Sequence, residues 1–439
     1  MARGKETVIV TGSTGFIGSA LVNALAGRFS LIGLDRAATR QPPPAAECIC
    51  IDLTSEDAIA AAMERVRTAY GTRIASVVHL AAYFDLTGEP NPLYDEITVR
   101  GTGKLLRALQ TFEVEQFVFA SSMLAHKGAR PGNVINEDWP LEPNLPYRAS
   151  KIEAERLIHD QHGSIPVVYI RPAGVYDDLC RNAFLANQIA RIYEKDPTGH
   201  VYPGDLRTGQ SFLHLDDLTD AVSRLIERRK NLSSEQALLL GEPEVMGYGE
   251  LQAEIGQLIR DERWETREVP KALAKAGAWV QQDVLGENPF IRSWMVDIAG
   301  DHYAIDITRA RKLLGWQPQH SLRKTLPRII DALKADPAGW YRANRLNAAR
   351  VAGQGAKAEK RAEAAHAKHM KMKSGHMAEM AGMGQQMLWA HFLVVALGIW
   401  LLTSPLPLAL FESAGVGAVH DVTKERGLWE PELRNALTG

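Results

Sequence analysis

The sequence predicts an α/β fold: a doubly wound parallel sheet with a smaller helical lobe over one edge, followed by a C-terminal transmembrane helix. Three observations predict it. Short apolar runs (Val8-Ile9-Val10, Leu31 to Leu34, Ala75 to Leu80, Gln116 to Ala120) alternate with stretches of helical period, the pattern of strands joined by crossover helices. The first run ends in a glycine-rich turn, G-x-x-G-x-x-G, that passes straight into a helical pattern of Ile17, Leu21 and Leu25. Leu388 to Phe411 contains no Asp, Glu, Lys or Arg. At 1.5 Å per residue it reaches roughly 36 Å, enough for a hydrocarbon core of about 30 Å.

Length and composition bound the answer. A chain of 439 residues with 46% apolar content has room for two or three domains and a sizeable core. A formal charge of −2 gives no reason to expect nucleic acid. Three cysteines in so long a chain indicate a reducing compartment rather than a disulfide scaffold. The N-terminus runs directly into the first strand, so no signal peptide is expected.

Taken in order, the turn comes first. Gly12 lets the chain reverse where a Cβ would clash, Gly15 lets backbone N–H groups approach a pyrophosphate, and Gly18 lets the helix pack closely on the strand. The second strand ends at Asp35, where a carboxylate can accept both hydroxyls of an adenine ribose and would repel a 2′-phosphate. NAD is therefore favoured, while Arg36, a guanidinium able to pair with that phosphate, keeps NADP open. A short strand from Cys48 to Ile51 leads to Asp52-Leu53, beside the adenine; Asp52 is either an adenine ligand or the cap of the helix that follows. Cys48 and Cys50 alternate on that strand and read as core or edge thiols. The run Ala75 to Ala82 ends in small residues that leave room for a ligand.

These residues, with His79-Leu80-Ala81-Ala82, Ser121-Ser122 and Tyr147-Arg148-Ala149-Ser150-Lys151, resemble the extended short-chain dehydrogenase/reductase family, the NAD-dependent epimerase/dehydratases. The resemblance covers about Thr7 to Asp336 and includes a second signature from Asp306 to Pro318 that is similar to the family's D-x-x-K/R-A-R-x-x-L-G-W-x-P segment. It implies a Rossmann-type fold and NAD contacts from Gly12, Thr14, Gly15, Phe16, Ile17, Asp35, Arg36, Asp52, Leu53, Leu80, Ala81, Ala82, Tyr147 and Lys151. No metal ligand is expected, and His214 and Asp216, at i and i+2, match a structural segment of the family.

The chemistry is legible in Tyr147 and Lys151. Hydride transfer at a carbinol carbon needs a group that removes or returns the hydroxyl proton, and free tyrosine, with a pKa of about 10, is a poor base. A lysine one helical turn on favours the phenolate electrostatically. The spacing alone also describes a surface aromatic–cation pair; Ser121-Ser122, at the end of an apolar strand, tips the reading toward catalysis. By the family's register Ser122 bonds the substrate oxygen, with Ser121 second.

Four departures limit the resemblance. Thr98 stands where the family carries an asparagine, and His126 where many members carry tyrosine, as a loop residue or an auxiliary acid/base. Met123-Leu124 replace the Asp-Glu pair used for sugar dehydration. In the substrate region Gly174 and Asp177 replace asparagine and glycine, and Gln210 replaces the arginine that grips a nucleotide-sugar diphosphate, a charge glutamine cannot supply; Arg207 would substitute only after a register shift.

The expected domains are a catalytic unit over 1–340, with its core mainly in 1–176 and 205–245 and its substrate lobe mainly in 177–204 and 246–336, then a linker over 341–386, the span 387–411 and a tail. The linker's cluster of His366, His369, Met370, Met372, His376, Met377, Met380 and Met383 reads as juxtamembrane helix before soft-metal site. Leu397 to Pro405 resembles the bacterial SPW repeat, with Leu406 where its tryptophan belongs. Lys357, Lys360, Arg361, Lys368, Lys371 and Lys373 precede the span and only Lys424, Arg426 and Arg434 follow it, which puts the catalytic unit in the cytoplasm. The reading is a membrane-anchored NAD-dependent oxidoreductase acting on a small molecule, with a homodimer left open. Two others stay open: a nucleotide-sugar epimerase that retains its NAD, and a non-catalytic NAD-binding scaffold.

Overall fold

The computed structural model describes residues 5–36, 42–85, 87–274 and 292–351. Contacts divide the chain at Gly355, and every described residue belongs to the first unit. The predicted span and the histidine–methionine cluster lie outside the described residues, among which no helix is long and apolar enough to cross a membrane.

The chain builds β1 (Thr7–Thr11), α1 (Phe16–Leu25), β2 (Ser30–Asp35), β3 (Glu47–Cys50), α2 (Glu56–Tyr70), β4 (Arg73–Ile74) and β5 (Ser76–His79). A π-helical turn, Tyr94–Gly101, leads into α3 (Thr102–Leu109), then β6 (Glu113–Val114), β7 (Phe117–Ala120), α4 (Pro146–Gln161), β8 (Val167–Pro172) and β9 (Gly174–Tyr176). There follow α5 (Ala183–Glu194), β10 (Val201–Tyr202), β11 (Phe212–His214), α6 (Leu215–Glu227), β12 (Glu235–Leu240), α7 (Tyr248–Arg260) and β13 (Arg267–Glu268).

Seven strands pair in parallel in the order β12-β8-β7-β5-β1-β2-β3. The chain winds outward from β1 to β3, then returns to β5 on the other side of β1. This reversal opens a crevice beyond the carboxyl ends of β1 and β5, where doubly wound sheets bind their ligands. Val8, Ile9 and Val10 are all fully buried, because alternate residues serve opposite faces and both faces are covered. Val8 and Val10 pack with α1 and α6; Ile9 packs with α2, α3 and α4.

Local chemistry sets the helix starts. Ser55 caps α2 by accepting from the Ala58 amide, with Glu56 and Asp57 in the first turn, so the capping role considered for Asp52 belongs to Ser55. Asn182 caps α5 in the same way.

The lobe has its own core: Leu185, Ile189 and Ile192 of α5, Leu251 and Ile255 of α7, Trp264, and Leu326, Ile329 and Ile330 of the helix Leu322–Ala335. Two predicted boundaries need correction. Tyr303, Ile305, Ile307, Leu314 and Trp316 pack in the sheet's core, not the lobe's, because the helix Thr308–Leu314 lies against β12. Trp340, Tyr341 and Val351, assigned to the end of the catalytic unit and the linker, are buried in the lobe's core, which carries the folded unit past residue 340. The apolar surface of those three side chains outweighs the change in composition around them.

Candidate active site

The turn after β1 is made of backbone. Gly12 has φ +70°, and a Cβ there would sit 3.1 Å from the Ala81 amide nitrogen. A Cβ on Gly18 would collide with the Gly12 carbonyl. α1 starts without a side-chain cap and has no acidic residue in its first turn, so its N-terminal amides suit an anion. Asp35, at the end of β2, accepts from the Thr14 amide and hydroxyl at 2.8 Å each and from the Arg36 amide at 2.8 Å. Thr14 thus fixes the carboxylate beside the turn. A backbone cradle that side chains would fill, with a carboxylate at the end of the second strand, fits a dinucleotide.

Other expected cofactor residues are spread around the same crevice. Asp52 is exposed and accepts from the Thr54 amide and hydroxyl, and these bonds hold its pKa below the usual range. The Leu53 side chain is buried in the core against Gly101, which leaves only its backbone for a ligand. The Leu80 and Ala81 amides both donate to the Thr11 hydroxyl, and Ala82 is half-buried. Phe16 and Ile17 open α1, and Arg36 is exposed.

Ser122, Tyr147 and Lys151 come together at the end of β7. Ser122 caps the short 3-10 turn Met123–Ala125 by accepting from the Leu124 amide at 3.1 Å, and its hydroxyl lies near enough to the Tyr147 phenol to pull that group's pKa down. Lys151 is buried and donates to the Ala120 carbonyl at 2.7 Å, with its ammonium 5.0 Å above the Phe119 ring. It ties α4 to the strand end that presents the serines. Ser121 Oγ is buried without a hydrogen-bond partner.

The electrostatics correct one expectation. Tyr147 is half-buried, and desolvation pushes its pKa up to about 12 with the Ser122 hydroxyl only partly opposing it, while burial lowers the Lys151 pKa to about 8. Desolvation outweighs the predicted pull of the lysine, whose ammonium is engaged at the Ala120 carbonyl. Tyr147 therefore holds its proton at neutral pH.

The departures also resolve into contacts. Thr98 Oγ accepts from the Tyr83 amide at 3.0 Å, and its carbonyl accepts from the Thr102 hydroxyl at 2.6 Å. His126 is fully buried rather than on an open loop. Its Nδ1 donates to the Trp139 carbonyl, its Nε2 accepts from Arg171, and burial with the nearby guanidinium lowers its pKa to about 4. Arg171 also forks onto Glu155, at 3.0 and 2.6 Å. Arg207 is turned outward, 82% exposed, and pairs with Asp205 at 2.6 Å.

Two arrangements escaped the sequence. His79 is fully buried, with Nδ1 2.7 Å from the Thr11 hydroxyl and Nε2 2.9 Å from the Thr102 hydroxyl; burial lowers its pKa to about 3. Because Thr11 Oγ accepts two amides and Thr102 donates to a carbonyl, the hydroxyl proton of Thr11 goes to Nδ1 and the ring proton sits on Nε2. His214, Asp216 and His320 form the second: their ligand atoms lie within 4.8 Å of one another. The two rings stack nearly parallel at 4.1 Å, and His214 Nδ1 accepts from the Asp216 amide as the cap of α6.

Residues 8–241 match the family described as NAD dependent epimerase/dehydratase. The chain is 31% identical over 202 residues to the 3 beta-hydroxysteroid dehydrogenase/Delta 5→4-isomerase of Mycobacterium tuberculosis; the match covers 44% of this chain and 52% of that protein, about half its length. It is 26% identical over 343 residues to the UDP-glucose 4-epimerase of Mycolicibacterium smegmatis, covering 74% of this chain and 97% of that one. The solved UDP-glucose 4-epimerase of Thermus thermophilus, a complex with NAD, has the same fold, with a TM-score of 0.57 at 22% identity over 75% of this chain and 99% of the other. A family match that runs from the first strand of the sheet through its last strand takes in more than half of the sequence. The chain belongs to the NAD dependent epimerase/dehydratase family and is an NAD-dependent oxidoreductase or epimerase.

Proposed function

We propose that this chain is a dehydrogenase that interconverts a secondary hydroxyl and a ketone on a substrate with an apolar body, exchanging NAD at each turnover. The observation that carries the reading is Phe84, 58% exposed, whose ring stands edge-on to Tyr147 with centroids 5.2 Å apart. An apolar ring left in water beside the phenol is a contact surface for an apolar ligand. The basic positions support the same reading. Gln210 is neutral, Arg207 is paired at the surface, and Arg171 is committed to Glu155, so none of the three offers a free cation to a diphosphate.

Tyr147, protonated at neutral pH, donates to a ketone oxygen; in the reverse direction its phenolate takes the carbinol proton. Ser122 bonds the same oxygen, and Lys151 holds the strand end and presents a cation to the site. NAD, when bound in the glycine turn, would accept the hydride in alcohol oxidation, and NADH would supply it in ketone reduction. We further propose that Leu388 to Phe411 anchors the chain to a membrane with the catalytic unit on the cytoplasmic side.

The second reading, a nucleotide-sugar epimerase, draws support from the epimerase match that covers 97% of that relative. One assay separates them. Purified full chain is gel-filtered, denatured and assayed for released dinucleotide, then offered apolar secondary alcohols, a steroid alcohol among them, and UDP-sugars. A dinucleotide-poor protein that forms NADH with an apolar alcohol is expected. Near-stoichiometric retained NAD with UDP-sugar epimerisation and no net NADH overturns the proposal.

A further inference from the structure

We infer that Arg181 is a clamp for the cofactor's pyrophosphate, brought over the glycine turn by a strained loop from the other lobe. The guanidinium lies 4.7 Å from the centroid of the Phe16 ring, and Phe16 is the first residue of α1, whose uncapped N-terminus faces the phosphate position. Two successive non-glycine residues hold it there in left-handed conformations, Cys180 at φ +79° and Arg181 at φ +26°. Such a conformation costs energy and persists only where its surroundings enforce it.

Here they do. The Cys180 amide donates to the Asp177 carbonyl at 2.8 Å, the Leu179 amide donates to the Asp177 carboxylate at 3.1 Å, and Asn344 Nδ2 donates to the Leu179 carbonyl at 2.8 Å. Asn182, one residue on, is fixed as the cap of α5 and by its bond to the Val175 carbonyl.

Arg181 is also poised by charge. Its Nε donates to Asp177 Oδ2 at 2.7 Å and its Nη2 to the same oxygen, so a single carboxylate oxygen holds one edge of the fork. The Nη1 hydrogens have no hydrogen bond among the described residues, and the side chain is 43% exposed. A guanidinium with one edge held and the other free can grip a phosphate without losing its counter-ion. Asp177 stands where the family resemblance leads to glycine, so the pair is a feature of this chain.

A phosphate at this place could belong to the cofactor or to the substrate, and the test distinguishes them. ADP, adenosine, NAD and UDP are titrated by calorimetry against the full chain, Arg181→Ala and Asp177→Asn. Both variants break the ion pair, but only the first removes the cation. Arg181→Ala is expected to weaken ADP and NAD by about tenfold or more, with adenosine unchanged. Asp177→Asn is expected to bind ADP at least as well as the unaltered chain. The inference is overturned by unchanged ADP binding in Arg181→Ala, by equal losses for ADP and adenosine, or by equal losses in the two variants. A loss confined to UDP also overturns it and moves the arginine to a substrate anion.

Discussion

At the scale of single residues, Tyr147 decides how the site runs. Its pKa, raised to about 12 by burial, means that the fraction present as phenolate grows about tenfold per pH unit throughout the neutral range. Alcohol oxidation, which needs the phenolate, is expected to accelerate from pH 6 toward alkaline pH, whereas ketone reduction, which needs the phenol, stays level. Initial rates in both directions over that range check the sign, and a level oxidation profile would show that the proton leaves by another route. Tyr147→Phe is expected to cost roughly 10²- to 10⁴-fold in kcat while changing NAD affinity little. The Y-x-x-x-K spacing was legible in the sequence because one helical turn fixes it. The direction of the pKa shift was not, because it depends on desolvation by the packed surroundings of the phenol, which are set by tertiary structure.

At the scale of elements, the strands and the first turn could be read because period and glycine spacing are local properties. What joins the elements could not. The chain Thr11–His79–Thr102–Thr98 crosses from the end of β1 through β5 to the π-helical turn, with partners 68 and 23 residues apart. Arg148 belongs to the same class: fully buried, it reaches Asp301, 153 residues away, at 3.2 Å and ties the start of α4 to the segment before the second signature. The His79 chain supports the crevice, since Thr11 also receives the Leu80 and Ala81 amides. Thr102→Val keeps the shape of the side chain and removes the acceptor for His79 Nε2–H. No tautomer relieves the loss, because the Thr11 hydroxyl proton already needs Nδ1. A cost of about 1–3 kcal/mol is expected in urea unfolding, with an unchanged slope. A neutral variant would show that water or a rotated Thr98 replaces the bond.

At the scale of the whole molecule, the described unit joins a seven-stranded parallel sheet to a lobe with its own core. The parallel sheet was foreseen from pattern; the extension of the lobe's core through Trp340, Tyr341 and Val351 was not, because those apolar residues are scattered among polar ones and only their packing unites them. Beyond them, Leu388 to Phe411 offers about 36 Å of uncharged chain if helical, and six basic residues precede it. The proposed anchor and the proposed apolar substrate belong together, because an apolar substrate partitions into a lipid bilayer, where an anchored enzyme would find it. The anchor proposal makes a sharp demand on the full chain. It should sediment with membranes and stay there through an alkaline carbonate wash, which strips proteins held by charge alone. Gly398→Arg and Ile399→Arg, near the middle of the span, cost about 2.5–3.5 kcal/mol per charge and are together expected to release the chain. The released variant should still turn over a water-soluble alcohol at the full rate, yet lose rate with a substrate presented in vesicles. If the unaltered chain washes free in carbonate, the span does not cross a bilayer; if the released variant and the unaltered chain handle vesicle-borne substrate equally, anchoring has no part in substrate supply.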